Sequence, residues 1–220
     1  LIKCAAAYAW LTVDTGTRCS RSARFLCATM GGSRIASFNH GYMANAMPMA
    51  MGAQKEYPDR QVIALCGDGG LSMLLGDLIT IAQYKLPVKI VVYNNGCLDF
   101  IQLEMQAAGL IPWQIDLHNP SFSAVADAVG IKGFLLDKSS QVDQMVQTFL
   151  NYPGPALLDA HVDRDALALP PYTSVGQAAD FSLSMVKQTF TGEIKQARHP
   201  PAGHRQLPTP CSAADNAPLT

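Results

Sequence analysis

Two kinds of hydrophobic pattern alternate along residues 10 to 162. Strand signals recur at "WLTVD" (10–14), "QVIALC" (61–66), "VKIVVY" (88–93), "GFLLD" (133–137) and "PALLDAHV" (155–162), of which 61–66 and 88–93 are continuous apolar runs. A strand that is apolar at every position is buried on both faces, as in a parallel sheet covered by helices on both sides. Between the runs lie helical patterns. Residues 43–55, rich in Ala and Met, are interrupted by Pro48, and residues 70–85 are apolar all round, as in an enclosed helix. Residues 121–129 start on a serine suited to capping and stop at Gly130, and residues 139–150 open with serines and close before the turn cluster at 151–154. Strand and helix in alternation predict an α/β fold, a doubly wound, mostly parallel sheet with helices on both faces.

Beyond this the pattern changes. Residues 1–167 are expected to form the sheet domain, and residues 168–198 a linker (168–177) followed by one more helix over 178–197. Residues 199–220 contain five prolines and little hydrophobic pattern, so they are expected to be a disordered tail.

Composition narrows the functional classes. The chain has 220 residues, 49% hydrophobic and 15% charged, with 16 basic and 17 acidic residues and a net charge of −1. Lys and Arg are scattered, so nucleic acid is not expected as a partner. The six cysteines include no C-x-x-C pair and several sit in apolar contexts, which predicts reduced, buried thiols in an intracellular protein. No apolar stretch is long enough to span a membrane. The chain begins with Leu1, which reads as a cut point inside a longer protein.

Two strand ends carry candidate chemistry. "CGDGG" (66–70) ends one apolar run and "YNNG" (93–96) ends the next. In an open parallel sheet, ligands bind beyond the carboxyl ends of the strands. A right-handed crossover between the two runs places their ends side by side or one apart, so Asp68 and Asn95 can offer oxygens to one point. A few hard oxygen ligands suit Mg²⁺, which takes its remaining ligands from water and phosphates. Gly67, Gly69 and Gly70 allow close approach of an anion to the backbone. Gly-Asp-Gly and Asn-Asn-Gly are also ordinary turn formers, which is the competing explanation.

Gly67-Asp68-Gly69, 24 residues, then Asn94-Asn95 resembles the diphosphate-binding motif of thiamin diphosphate (ThDP) enzymes. The resemblance implies metal ligation by Asp68, Asn95 and the backbone carbonyl of Cys97, whose thiol need not take part. It implies diphosphate contacts at Gly69 and Gly70, with Leu98 also against the cofactor. "SFNHGYMANAMPMAMGAQ" (37–54) is similar to the segment that grips the aminopyrimidine ring, which implies cofactor contacts at Gly41, Tyr42 and Met43. Met43 as helix-core filler is the alternative. His40 is a core histidine or an active-site neighbour. Phe100 matches a family aromatic of the substrate pocket, or packs after a loop. Asp99 departs from the small residue expected there.

"MLLGDLITIAQYKLPVKIVVYNN" and "FSLSMVKQTF" most resemble the pyruvate oxidase (pyruvate:quinone dehydrogenase) branch, while acetolactate synthases share much of the pattern. The implied activity is oxidative decarboxylation of pyruvate, a 2-oxo acid, with electrons passed to flavin and quinone. The alternatives are an acetolactate synthase-like carboligase domain and a truncated, non-catalytic fragment. The resemblance further implies FAD on a domain outside this chain, a catalytic glutamate on a separate pyrimidine-binding domain, and a homodimer or homotetramer. Glu56, Glu104 and Glu193 lie outside any such glutamate's context. A cytoplasmic protein is expected, with weak peripheral contact at the inner face of the cell membrane a minor further expectation, because the proline-rich tail is a poor amphipathic helix.

Overall fold

A computed structural model describes residues 4–6, 8–16, 33–164 and 175–190. Among the described residues six strands form one all-parallel sheet: β1 (Trp10–Val13), β2 (Ser33–Ala36), β3 (Val62–Gly67), β4 (Lys89–Asn94), β5 (Lys132–Leu136) and β6 (Ala156–His161). Their order across the sheet is β2-β1-β3-β4-β6-β5. Around them lie α1 (Ala46–Glu56), α2 (Asp68–Met73), α3 (Asp77–Gln83), α4 (Asp99–Ala107), α5 (Phe122–Ala128), α6 (Val142–Asn151) and α7 (Val175–Phe190). This is the α/β doubly wound architecture the pattern predicts.

Strand β3 shows why its sequence is apolar throughout. Val62, Ala64 and Cys66 pack on one face against Ala46, Met47 and Ala50 of α1 and Leu78 and Ile81 of α3. Ile63 and Leu65 point the other way, into a second cluster with Phe149 and Leu150 of α6. Each large aliphatic side chain withdrawn from water contributes roughly 2 kcal/mol, so the two clusters hold both helix layers on the sheet.

The chain moves from β1 to β2 on one side, then returns to place β3 on the other side of β1. The direction of winding reverses there, and such a switch point opens a crevice between strand ends. The ends of β1 and β3 carry Asp14 and Gly67-Asp68. β3 and β4 are direct neighbours, with Gly67 paired to Tyr93, so the tips bearing Asp68 and Asn95 are adjacent.

Several elements differ from expectation. Pro48 does not interrupt α1, because it falls in the first turn, where a missing N–H leaves no helical bond unmade. Residues 70–85 are not one helix: α2 ends at Met73, Leu74 leaves helical geometry, and α3 begins after Gly76. β2 and α4 were not anticipated. Ser121 does cap α5, its Oγ accepting from the Ala124 N–H at 3.3 Å, and Gly130 follows the helix at φ +86°. The serines at 139–140 form a 3-10 turn that leads into α6. The last helix begins at Val175, inside the stretch expected to be linker, and is described to Phe190. It packs on α4: Ser184 Oγ donates to the Leu110 carbonyl at 2.6 Å and Lys187 Nζ to that of Gly109 at 2.8 Å. The expected disordered tail, 199–220, lies outside the described residues. Among the described residues no helix is long and apolar enough to cross a membrane. Of the cysteines described, Cys66 and Cys97 are buried, Cys4 is half-buried, and all three are free thiols.

Candidate cofactor site at the strand ends

Asp68 is the first residue of α2 and is buried. Its Oδ2 accepts from the N–H groups of Asn95 at 3.2 Å and Gly96 at 2.8 Å, and from Asn119 Nδ2 at 2.8 Å. Its Oδ1 accepts from the Gly69 N–H at 2.9 Å. The carboxylate is thus aimed at the loop after β4. All four donors are neutral N–H groups, and no cationic side chain among the described residues pairs with this buried charge. Its charge is held by hydrogen bonds alone, so an added cation would meet no competing positive side chain among the described residues.

The loop after β4 is shaped to complete such a site. Gly96 sits at φ +64°, the left-handed conformation that turns the chain back. Cys97 then pairs with Asp116 in an isolated antiparallel bridge, flanked by Leu98 N–H to Ile115 O and Leu117 N–H to Gly96 O, both 2.9 Å. These flanking bonds make Cys97 and Asp116 the non-hydrogen-bonded pair, so the N–H and C=O of Cys97 face away from the 115–117 segment. The N–H goes to Asn95 Oδ1 at 3.2 Å. The Cys97 carbonyl and the Asn95 side chain therefore share the side of the loop turned away from residues 115–117, while the backbone N–H groups of Asn95 and Gly96 reach Asp68. Asn95 Nδ2 is buried without a hydrogen-bond partner. Arg164 pairs with Asp116 at 2.5 Å and anchors this loop from beyond β6. The thiol of Cys97 donates to Gln102 Oε1 at 3.1 Å, and burial pushes it up to about 11, so it is protonated here.

Gly69 and Gly70 leave space that other groups occupy. A Cβ at Gly69 would lie 2.9 Å from Leu98 Cδ2 and 3.4 Å from Met43 Cε. A Cβ at Gly70 would lie 1.7 Å from Asp14 Oδ2. Asp14, at the tip of β1, is buried, and its Oδ1 accepts from Thr15 N–H at 3.0 Å and Asn45 N–H at 3.2 Å. Burial raises its carboxyl above the ordinary value, opposed by backbone N–H bonds that include those of Ala44 and Gly67. One side chain thus joins the ends of β1 and β3 to the segment before α1.

That segment carries Gly41 at φ +68° and Ala44, unusually for a side-chain-bearing residue, also at φ +68°. The Tyr42 carbonyl accepts from Thr15 Oγ1 at 2.7 Å and from Asn45 Nδ2. The Tyr42 ring is exposed and lies edge-on to His40, so this tyrosine shapes the segment through its backbone.

These pieces enclose a cavity of about 280 Å³. Gly41, Met43, Asp68, Gly69, Gly70, Cys97 and Leu98 line it, and Asp99, Phe100, Ile101 and Glu104 close it from α4. Tyr42, His40 and Asn95 are outside its wall; Asn95 stands behind, on Asp68. Asp99 occupies the first turn of α4, where the exposed N–H groups of the helix favour an acid. Glu104 lies in the cavity wall, on this domain and so apart from the separate-domain catalytic glutamate that the resemblance implies. Glu56 ends α1, exposed and away from the cavity, and Glu193 lies outside the described residues. Sequence reasoning missed Asp14, Asn119 and Asp159, none of which belongs to a local motif.

A glycine cradle beside a buried carboxylate that has no cationic partner among the described residues, with hard oxygen donors near it, fits a diphosphate held through a divalent cation, and the fold places it at the switch point of a parallel sheet. That combination defines a nucleotide- or coenzyme-binding α/β domain. Residues 14–160 match the family "Thiamine pyrophosphate enzyme, C-terminal TPP binding domain", and the chain belongs to it. It is 34% identical over 193 residues to the putative thiamine pyrophosphate-containing protein YdaP of Bacillus subtilis, covering 88% of this chain and 33% of that protein. It is 34% identical over 165 residues to the acetolactate synthase large subunit of Porphyra purpurea, covering 74% and 28%. Against the pyruvate oxidase of Lactiplantibacillus plantarum the identity is 32% over 157 residues, covering 70% and 26%. The chain spans about a quarter to a third of the length of these relatives.

Proposed function

We propose that this domain holds the diphosphate of ThDP (thiamine pyrophosphate) through Mg²⁺ within an enzyme that decarboxylates a 2-oxo acid. Asp68, Asn95 and the Cys97 carbonyl would hold the metal, and Gly69 and Gly70 would face the diphosphate. Gly41 and Met43 would position the ring portion, with Leu98 against it, while Phe100 and Glu104 would border the substrate. The observation that carries this reading is the convergence of Asp68 on the loop containing Asn95, with only neutral donors around its buried carboxylate among the described residues. Bound ThDP supplies the electron sink for carbon–carbon cleavage.

Within the whole protein the favoured reaction is oxidative decarboxylation of pyruvate, with electrons passed to FAD on another domain and then to quinone, in a homodimer or homotetramer. The pyruvate oxidase among the relatives and the sequence resemblance of the β3–β4 region support it. The acetolactate synthases among the relatives favour a second reading, in which a second oxo acid replaces the oxidant. Anaerobic addition of pyruvate to the full-length protein separates them. Bleaching of the flavin absorbance without acetolactate supports the first reading, and acetolactate with the flavin left oxidised supports the second. Neither signal in protein loaded with ThDP and Mg²⁺ would overturn both.

A further inference from the structure

Behind Asp68 runs a chain of buried and half-buried polar groups that the cofactor contacts do not use. Asp159, on β6, is fully buried. Its Oδ2 accepts from the Phe122 N–H at 3.0 Å, and its Oδ1 accepts from Asn94 Nδ2 at 3.1 Å. His161 Nε2 lies 3.8 Å from the same Oδ1. Because Asn94 Nδ2 is committed to Asp159, Asn94 Oδ1 must face the opposite way, and there it accepts from Asn119 Nδ2 at 2.9 Å. The second proton of Asn119 Nδ2 goes to Asp68 Oδ2 at 2.8 Å. Each amide orientation is fixed by the next, starting from an acceptor-only carboxylate.

We infer that Asn119 is a positioning residue for the metal site, held in register by Asn94 and Asp159. This deepens the proposed function and rests on Asp68 as a Mg²⁺ ligand. The bond from Asn119, with those from the Asn95 and Gly96 N–H groups, brings three donors to Asp68 Oδ2, while Oδ1 has one. A carboxylate oxygen has about two lone-pair sites. Oδ2 is thus saturated and the carboxylate is held against rotation, which leaves Oδ1 as the oxygen with capacity for a cation. Asn119 is not part of the cavity wall; it acts through Asp68.

The test is a titration of ThDP binding to the intact protein across Mg²⁺ concentrations, read by calorimetry. Asn119→Ala should raise the Mg²⁺ concentration for half-maximal binding about tenfold, while ThDP affinity at saturating Mg²⁺ stays within about twofold of wild type. Asp159→Asn, which keeps shape and volume, should shift the same midpoint in the same direction. The double variant should match Asn119→Ala alone, since both act through one relay. An unchanged midpoint in Asn119→Ala, or shifts that multiply in the double variant, would overturn the inference. So would a loss of ThDP affinity that excess Mg²⁺ does not restore, because that marks a collapsed loop. Should Asn119→Ala not fold, an unshifted midpoint in Asp159→Asn overturns the relay by itself. Wild-type protein that binds ThDP equally well without Mg²⁺ would instead overturn the underlying functional reading.

Discussion

The carboxylate of Asp14 fills the space that a side chain at Gly70 would need: Oδ2 lies 1.7 Å from where a Cβ at position 70 would stand. The tip of β1 and the first turn of α2 are therefore locked together by the absence of an atom. Gly70→Ala must expel a buried carboxylate from its N–H donors and should cost about 3–4 kcal/mol. At Gly69 the nearest obstacle, at 2.9 Å, is the end of the Leu98 side chain, which can rotate. Gly69→Ala should cost only about 1 kcal/mol. Urea unfolding of the two variants checks the contrast; equal costs would show that Asp14 is not fixed.

Asp14→Asn keeps the volume but replaces one acceptor oxygen with a donor amide. Both oxygens face backbone N–H groups, those of Thr15, Asn45, Ala44 and Gly67. One N–H would then meet another, and about 2 kcal/mol of stability should be lost at neutral pH. Asn45 and Thr15 would lose their common anchor, so ThDP affinity should fall with it. Denaturation midpoints and calorimetric ThDP titration report the two effects separately.

Ala44 lies directly after Met43 at φ +68°. A side-chain-bearing residue held there stores strain, and its persistence beside a binding site fits a segment fixed from several sides. Ala44→Gly should stabilise the fold by about 1 kcal/mol. The same relief should loosen the Met43 segment and weaken ThDP binding. Greater stability with unchanged binding would show that the strain has no part in positioning Met43.

Lys89 begins β4, at the end of the sheet away from the cavity. Its ammonium donates to the carbonyl of Tyr152 at 2.6 Å and to that of Gly154, and stands over the Tyr152 ring. Burial lowers it from 10.5 to about 8. A base depressed in the folded state binds fewer protons than the unfolded chain between those values. Its contribution to stability therefore rises as pH increases from about 8 to 10.5. Lys89→Met removes the titration, so wild-type stability minus that of the variant should increase across this window. A flat difference in denaturant unfolding would contradict the burial of the charge.

The fold was legible where burial dictates residue type. β3, β4 and β6 are buried along most of their length and had to be apolar, β1 and the edge strand β5 carry shorter apolar runs, and the Ser121 cap and Gly130 stop of α5 are local signals. β2 was not legible, since "SRIA" is short, carries an arginine and pairs only along the sheet edge. The break between α2 and α3 was hidden by unbroken hydrophobicity. At the site, Asp68, Asn95, Gly41 and Met43 stand in recognisable strings. Asp14, Asn119 and Asp159 do not, because each acts on a residue 25 or more positions away and only the folded sheet brings them together. The place of Glu104 in the cavity wall was not legible, because α4, which turns it there, carries no strong local signal.

The most direct measurement is calorimetric titration of ThDP into the intact protein and into Asp68→Ala, each with Mg²⁺ and with chelator. Wild type should bind with Mg²⁺ and lose at least about a hundredfold in affinity without it, and Asp68→Ala should bind weakly in both conditions. Asp68→Ala that keeps its fold and binds ThDP with wild-type affinity and wild-type Mg²⁺ dependence would contradict Asp68 as the residue that anchors the metal and, through it, the cofactor.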